Sequence, residues 1–160
     1  MKPKIAQAVR RGILIRTFPY SKRIGRAYHW TYVLRAKDKK KRELIAKGME
    51  YAVACKRISY SNEPSKNAVL FDLAKPYKFD CRRLKRKATT NCCNLVSVAC
   101  RYAGIPTPRK NTATTLPQKW EQYGFYVFRY KHGVTKLKRG DILDANVKPK
   151  VHTAVYLGEK

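Results

Sequence analysis

The spacing of apolar residues predicts a helix that begins near residue 92. Apolar side chains recur with the 3.6-residue period of one helix face, at Leu95, Val96, Ala99, Cys100 and Ala103. Asn91 is a typical N-cap residue, and Gly104 followed by Pro106 ends the pattern. We therefore predict a helix over residues 92–103.

Similar patterns predict the other elements. Helical periodicity recurs over residues 38–56 and, more briefly, over 115–123. Apolar and polar residues then alternate with the period of a strand over 125–130, 141–145 and 151–157. Because helices precede strands, we expect an α+β fold, with N-terminal helices packed on a C-terminal antiparallel sheet.

Two residues with complementary chemistry stand in these elements. Cys92 falls in the first turn of its helix, where unpaired N–H groups and the helix dipole lower the pKa of a thiol. His152 lies in the last strand and can point toward that helix start. An imidazole that takes the thiol proton and returns it to the leaving group would support acyl transfer. Cys93 competes for the role, but one helical step turns by about 100°, so only one thiol can face His152.

Three short segments around this pair carry recognisable motifs. Residues 91–96 read Asn-Cys-Cys-Asn-Leu-Val, residues 140–143 read Gly-Asp-Ile-Leu, and residues 152–158 read His-Thr-Ala-Val-Tyr-Leu-Gly. They resemble the motifs of the NlpC/P60 family of papain-like cell-wall cysteine peptidases. In that family the motifs read Asp-Cys-Ser-Gly-(Leu/Phe)-Val, Gly-Asp-(Ile/Leu)-Leu and His-x-Ala-(Ile/Met/Val)-Tyr-Leu-Gly. The resemblance, which is to the family's phage endolysins in particular, covers roughly residues 43–158.

The resemblance implies a papain-like fold and a cysteine hydrolase that cleaves amide bonds in peptidoglycan stem peptides or crosslinks. Cys92 would be the nucleophile and His152 the base, with Tyr60 helping to bind the oxyanion and Asn91 as a supporting residue. The family's third catalytic residue lies on the strand after the histidine, but this chain stops at Lys160, before such a strand. The sequence therefore identifies no third residue, and a histidine without one can take the wrong tautomer.

The charge is extreme and unevenly spread. The formal net charge is +27, and residues 1–36 contain nine basic residues and no acidic one. We predict a basic N-terminal extension over 1–36, part of it a strand pair, and a hydrolase domain over 37–160. A second basic cluster at residues 82–87 is expected beside the substrate cleft, where it would lower the pKa of Cys92.

Such charge indicates polyanionic partners, either peptidoglycan or another wall polymer, or nucleic acid bound through the N-terminal extension. This leaves an alternative function open: a catalytically impaired phage or virion-associated protein of the same fold that binds polyanions. A third reading is a basic nucleic-acid-binding protein whose motifs are accidental. The oligomeric state is not predicted.

Other classes receive little support from the sequence. No Cys-x-x-Cys pair occurs, so neither a metal nor a cofactor is expected. The five cysteines are an odd number, which excludes a complete disulfide framework and suits folding in a reducing cytosol. The N-terminus lacks the apolar stretch of a signal peptide, and no apolar run is as long as a membrane span. We expect synthesis in the cytosol and action at the cell wall after release or as part of a virion.

Overall fold

The chain folds into an α+β arrangement in which helices cover one face of a six-stranded sheet. The computed structural model describes residues 2–18, 20–21, 26–27, 30–147 and 151–159. The helices are α1 (Lys39–Ala54), α2 (Val69–Ala74), α3 (Cys92–Tyr102) and α4 (Leu116–Lys119), with 3₁₀ turns at Lys75–Tyr77, Cys81–Arg83 and Trp120–Tyr123. The strands are β1 (Lys4–Val9), β2 (Gly12–Thr17), β3 (Tyr20–Ser21), β4 (Arg26–Ala27), β5 (Tyr32–Ala36), β6 (Ile58–Tyr60), β7 (Ala88–Thr90), β8 (Phe125–Arg129), β9 (Ile142–Ala145) and β10 (His152–Gly158).

The main sheet joins strands from both ends of the chain. Its order is β2-β1-β10-β9-β5-β8, and each neighbouring pair is antiparallel. Residues 1–36, separated above as a basic extension, supply β1, β2 and β5, and β1 and β2 form the expected strand pair. The α+β class is confirmed. The expected succession of N-terminal helices and a C-terminal sheet is wrong, because three strands of the sheet precede α1.

The two long helices confirm the periodic patterns. Asp38 caps α1, and its carboxylate accepts the N–H of Lys40 at 2.8 Å. At the end of α3, Gly104 has a φ of +83°, the left-handed conformation expected of a stop residue. The helices cross closely at Gly48, where a Cβ would lie 3.2 Å from the Cα of Ala99. A larger residue at Gly48 would push α1 away from the helix that carries Cys92.

Other elements differ from the prediction or were not predicted. The region 115–123 is not one helix but the short α4 followed by a 3₁₀ turn. The segment before α3, predicted as loop, contains α2 and a parallel pair formed by β6 and β7. These strands are three residues long, too short for a periodic pattern to identify.

The Gly140-Asp141 motif has a structural role at the start of β9. Gly140 has a φ of +92°, and a Cβ there would collide with the main-chain oxygen of Arg42. The buried carboxylate of Asp141 accepts hydrogen bonds from Arg35 Nε at 2.9 Å and Nη2 at 2.7 Å. It also accepts the N–H of Lys138 at 2.8 Å. This two-point ion pair fixes the turn that leads into the strand beside β10.

Apolar residues pack on both faces of the sheet. On the helix side, residues 93–100 of α3 are all buried, and Val155 and Leu157 of β10 pack in the same cluster. On the other side, Ile5, Trp30 and Ala154 belong to a smaller cluster. Each buried aliphatic side chain contributes about 1.5–3 kcal/mol to folding. The N-terminus of α3 is therefore held firmly against the sheet.

Candidate active site

Asn91 fixes the start of α3. Its backbone is extended, and its side-chain oxygen accepts the N–H of Asn94 at 2.9 Å. Its own N–H donates to the oxygen of Asn67 at 3.1 Å, and its amide nitrogen donates to Asn62 at 3.2 Å. The predicted supporting residue thus acts as an N-cap tied to the preceding loop, which sets the position of Cys92.

Cys92 and His152 lie together, as the sequence predicts. The half-buried thiol of Cys92 lies within hydrogen-bonding reach of the His152 ring, the Cys93 thiol and the N–H of Thr153. The hydrogen bond from the Cys93 thiol lowers the pKa of Cys92 well below its ordinary value. His152 and the N–H of Thr153 act in the same direction, whereas burial opposes them. Cys92 therefore has the character of a thiolate.

The thiol of Cys93 behaves in the opposite way. It is 4% exposed, and its sulfur lies 2.8 Å from the main-chain oxygen of Asn111, which competes with Cys92 for the single proton of this thiol. The neighbouring Cys92 sulfur raises the pKa of Cys93 well above its ordinary value, and burial adds to the effect. The N–H groups of Cys93 and Asn94, at the helix start, lower the pKa of Cys93 and so oppose these two effects. The N–H groups of the first turn of α3 were expected to lower the pKa of Cys92. Those of Cys93 and Asn94 instead interact with the sulfur of the adjacent Cys93.

His152 has a second partner that comes from the other end of the chain. Its Nε2 lies 2.6 Å from Oε1 of Gln7, on β1. The two side chains are 5% and 3% exposed, and the ring of Trp30 lies 6.0 Å from that of His152. Because an amide oxygen accepts a hydrogen bond, Nε2 carries the ring proton and Nδ1 is left to take the proton of Cys92. This is the tautomer that a catalytic base requires.

Sequence reasoning missed Gln7 because it looked for the third residue after His152. In the sheet, β1 lies beside β10 on the side opposite β9, and its register pairs Ala6 with Val155. One signal was present in the sequence: Gln7 is a polar residue between Ala6 and Ala8 in an apolar strand. A buried amide at such a position needs a partner.

A second buried polar group, Asp144, lies near the thiols. Its Oδ1 accepts the hydroxyl of Thr153 at 3.3 Å, while its buried Oδ2 has no hydrogen-bond partner among the described residues. Burial raises the pKa of Asp144 to about 8, and the nearby Cys92 adds to the shift. The carboxyl group is therefore neutral at pH 7, which spares the thiolate a neighbouring negative charge.

Tyr60 and the second basic cluster were also predicted to act at the site. Tyr60 ends β6, where the register pairs it with Thr90 two residues before Cys92. Its role at the oxyanion stays a prediction. Arg82, in the second basic cluster, lies over the ring of Tyr51 and near Tyr102 at the far end of α3. The groups that lower the pKa of Cys92 most do not include a residue of this cluster, and its expected effect stays a prediction.

Of the other two histidines, only His132 lies among the described residues. His29 lies outside the described residues. His132 is exposed, and its Nδ1 lies 3.1 Å from the hydroxyl of Tyr130.

Comparison with known proteins identifies the family. A family model described as an endolysin-like domain matches residues 11–160. The chain belongs to the endolysin-like domain family. The matched region includes Cys92 and His152 and begins after Gln7. This membership supports the resemblance to phage endolysins, while the closer relation to NlpC/P60 peptidases and the papain-like fold stay predictions. No curated protein and no solved structure matched the chain.

The cysteines and carboxylates of this endolysin-like domain do not assemble into other kinds of site. All five cysteines are free thiols. Within the described ranges, no group of three or more histidine, cysteine or acidic side chains could hold a metal ion. None of the described helices combines the length and apolar character needed to cross a membrane.

Proposed function

We propose that this endolysin-like domain is a cysteine hydrolase of the NlpC/P60 type, which cleaves amide bonds in peptidoglycan stem peptides or crosslinks. The observation that carries the proposal is the chain of contacts from Cys92 to His152 to Gln7. It supplies a low-pKa thiol, a base of defined tautomer, and a buried group that orients the base. Membership of the endolysin-like family supports the choice of substrate.

The reaction follows from this geometry. The Cys92 sulfur attacks the amide carbon while His152 holds the thiol proton on Nδ1, and the proton passes to the leaving amine as the carbon–nitrogen bond breaks. A thioester remains on Cys92. Water, deprotonated by His152, then attacks the thioester, and the acid product leaves with the thiol restored. The N–H of Cys92 and the hydroxyl of Tyr60 are our candidates for binding the oxyanion.

Gln7 acts as a positioning residue for His152 in this scheme. Its oxygen holds Nε2–H, so the ring keeps Nδ1 directed at Cys92 through both steps. Trp30 packs beside the ring and shields this hydrogen bond from water. A hydrogen bond in such surroundings is stronger than one in water.

The direct test is hydrolysis of purified peptidoglycan, followed by the release of new amino groups. We expect Cys92→Ala to lose activity and Cys93→Ser to retain most of it, because serine keeps a hydrogen-bond donor beside Cys92. Equal release by wild type and Cys92→Ala would contradict the assignment of the nucleophile. Loss of activity in Cys93→Ser alone would move the role to Cys93.

The impaired-enzyme alternative draws its support from the charge and from the departures at Asn91, Cys93 and Asn94. Its strongest argument is that the sequence identifies no third residue, and we propose Gln7 for that position. The same assay decides between the two functions. A wild-type protein that binds peptidoglycan but releases no amines would favour the alternative.

A further inference from the structure

A group of cations, here called the basic face, lies at the C-terminal end of α3 and along the 3₁₀ turn Lys75–Tyr77. It consists of Lys75, Lys78 and Arg101, which line a groove, and of Arg83 and Lys85, which lie over the ring of Tyr77. The groove has a volume of about 490 Å³, and its walls include Lys75, Lys78, Phe79, Arg101 and Tyr102. Because α3 has 11 residues, the groove lies about 16 Å from Cys92 along the helix axis. The basic face is thus separate from the candidate active site.

The positive charge of the basic face is only partly offset within the protein, because Asp72 attracts Lys75 and Asp80 attracts Arg83 at longer range than an ion pair. The two nearby acidic side chains are paired elsewhere, Asp72 with Arg109 at 2.7 Å and Asp80 with Arg82 at 2.9 Å. In the part of the chain that the structure describes, no cation of the basic face has a carboxylate within 4 Å. Mutual repulsion among such cations opposes folding unless an anion accompanies them.

Aromatic rings hold several of these cations in place. Arg101 lies over Phe71 and Phe79, at 5.4 and 5.8 Å from the ring centres, and its Nε donates to the oxygen of Thr107 at 2.7 Å. Arg83 and Lys85 lie over one ring, that of Tyr77, at 5.2 and 5.9 Å. Cations held in this way lose less conformational freedom when an anion binds.

The backbone beneath the groove is strained. Lys78 and Phe79 have φ values of 54° and 62°, two consecutive non-glycine residues in the left-handed region. This conformation buries the ring of Phe79 against Phe71, 4.9 Å between centres, and leaves Lys78 exposed at the rim. The strained conformation therefore places the ring of Phe79 under Arg101 and directs Lys78 outward.

The same contacts favour one kind of polyanion. Single-stranded nucleic acid is bound by open aromatic rings on which the bases stack. On the basic face, the rings of Phe71, Tyr77 and Phe79 lie against cations instead, and the ring of Tyr102 in the groove wall packs edge-on against that of Tyr51, 5.7 Å between centres. We propose that the basic face docks a linear phosphodiester polymer without bases, of the polyol-phosphate type found in cell walls. The choice of a wall polymer as the source rests on the proposed function.

The test compares two triple variants with the same loss of charge. Lys75→Gln/Lys78→Gln/Lys85→Gln alters the basic face, and Lys119→Gln/Lys131→Gln/Lys136→Gln alters exposed lysines elsewhere. The probe is purified poly(glycerol phosphate), and binding is measured by calorimetry on the Cys92→Ala background so that hydrolysis plays no part. We expect the first variant to bind about ten-fold more weakly and the second to change by less than about two-fold. Equal losses would show a general charge effect and overturn the proposal.

Two further measurements separate the sources and the functions. An oligothymidine with the same number of phosphates should bind more weakly than the wall polymer; tighter binding that is lost in the basic-face variant would assign the surface to nucleic acid instead. On peptidoglycan stripped of phosphate polymers, the basic-face variant with Cys92 intact should hydrolyse as fast as wild type. It should be slower only on walls that keep the polymer. Equal melting temperatures of the two triple variants exclude misfolding.

Discussion

The two ends of α3 place their charged and reactive groups in opposite ways. At the N-terminal end, the half-buried Cys92 lies within hydrogen-bonding reach of His152, and a 2.6 Å hydrogen bond joins the buried side chains of His152 and Gln7. At the C-terminal end, four exposed cations and the half-buried Arg101 lie near aromatic rings, and Arg101 in the last turn also suits the negative end of the helix dipole.

The separation between the two ends explains how both can operate in one small protein. The distance of about 16 Å along α3 is roughly twice the screening length at physiological ionic strength. The thiolate therefore depends on its immediate neighbours rather than on the net charge of +27. We therefore propose that hydrolysis is confined to the buried end and docking to the exposed end.

The largest expected effect comes from removing the catalytic base, which should change only the buried end. We expect His152→Ala to lower peptidoglycan hydrolysis by about 10²–10⁴-fold, because the thiol proton then has no acceptor in the site. Binding of poly(glycerol phosphate) should not change. A fall in binding of the same variant would mean that the two ends are coupled.

The next effect concerns Gln7. Gln7→Leu leaves the buried Nε2–H of His152 without an acceptor, at a cost of about 1–3 kcal/mol, which corresponds to about 5- to 160-fold in kcat. KM should stay the same, because Gln7 acts through His152 and does not touch the substrate. Gln7→Glu keeps an acceptor oxygen and is the matched control, with most of the activity retained. If Gln7→Leu and Gln7→Glu lose equal activity, the side chain serves packing and does not orient His152.

Gln7 also marks the limit of what the sequence predicted. Cys92 and His152 could be found because each lies in a local pattern, one at a helix start and one in an alternating strand. The partner of His152 depends on β1 lying beside β10, a pairing between positions 145 residues apart. No local pattern encodes such a pairing.

The sequence also did not predict which group lowers the pKa of Cys92 most. The first turn of α3 and the cluster at 82–87 both looked sufficient, yet the neighbouring Cys93 has the largest effect. That depends on the rotation of two adjacent side chains, which the spacing of apolar residues does not determine.

Cys93 allows a smaller and more specific test of the buried end. Its hydrogen bond lowers the pKa of Cys92, so Cys93→Ala should raise that pKa and move the acidic limb of the kcat/KM profile to higher pH. Activity should fall more below neutrality than above it. Cys93→Ser keeps a donor and should leave the limb near its wild-type position. An unchanged limb in Cys93→Ala would assign the low pKa to His152 and Thr153 alone.

The smallest effect on hydrolysis at pH 7 is expected for Asp144, although its effect on stability is clear. The pKa of Asp144 is about 8 in the folded protein, against about 3.9 for an unfolded chain. Between these values the folded state binds a proton that the unfolded state does not, so stability falls as pH rises, by up to about 1.4 kcal/mol per pH unit. Asp144→Asn carries no such proton, and its free energy of unfolding in urea should lack this slope between pH 5 and 7.

Asp80→Asn is the control for this measurement. Arg82 lowers the pKa of Asp80, so that carboxylate is ionised in both states across this range, and its loss leaves the slope unchanged. If Asp144→Asn and the wild type show the same slope, then Asp144 of the wild type is already ionised beside Cys92. The buried end would then tolerate two negative charges.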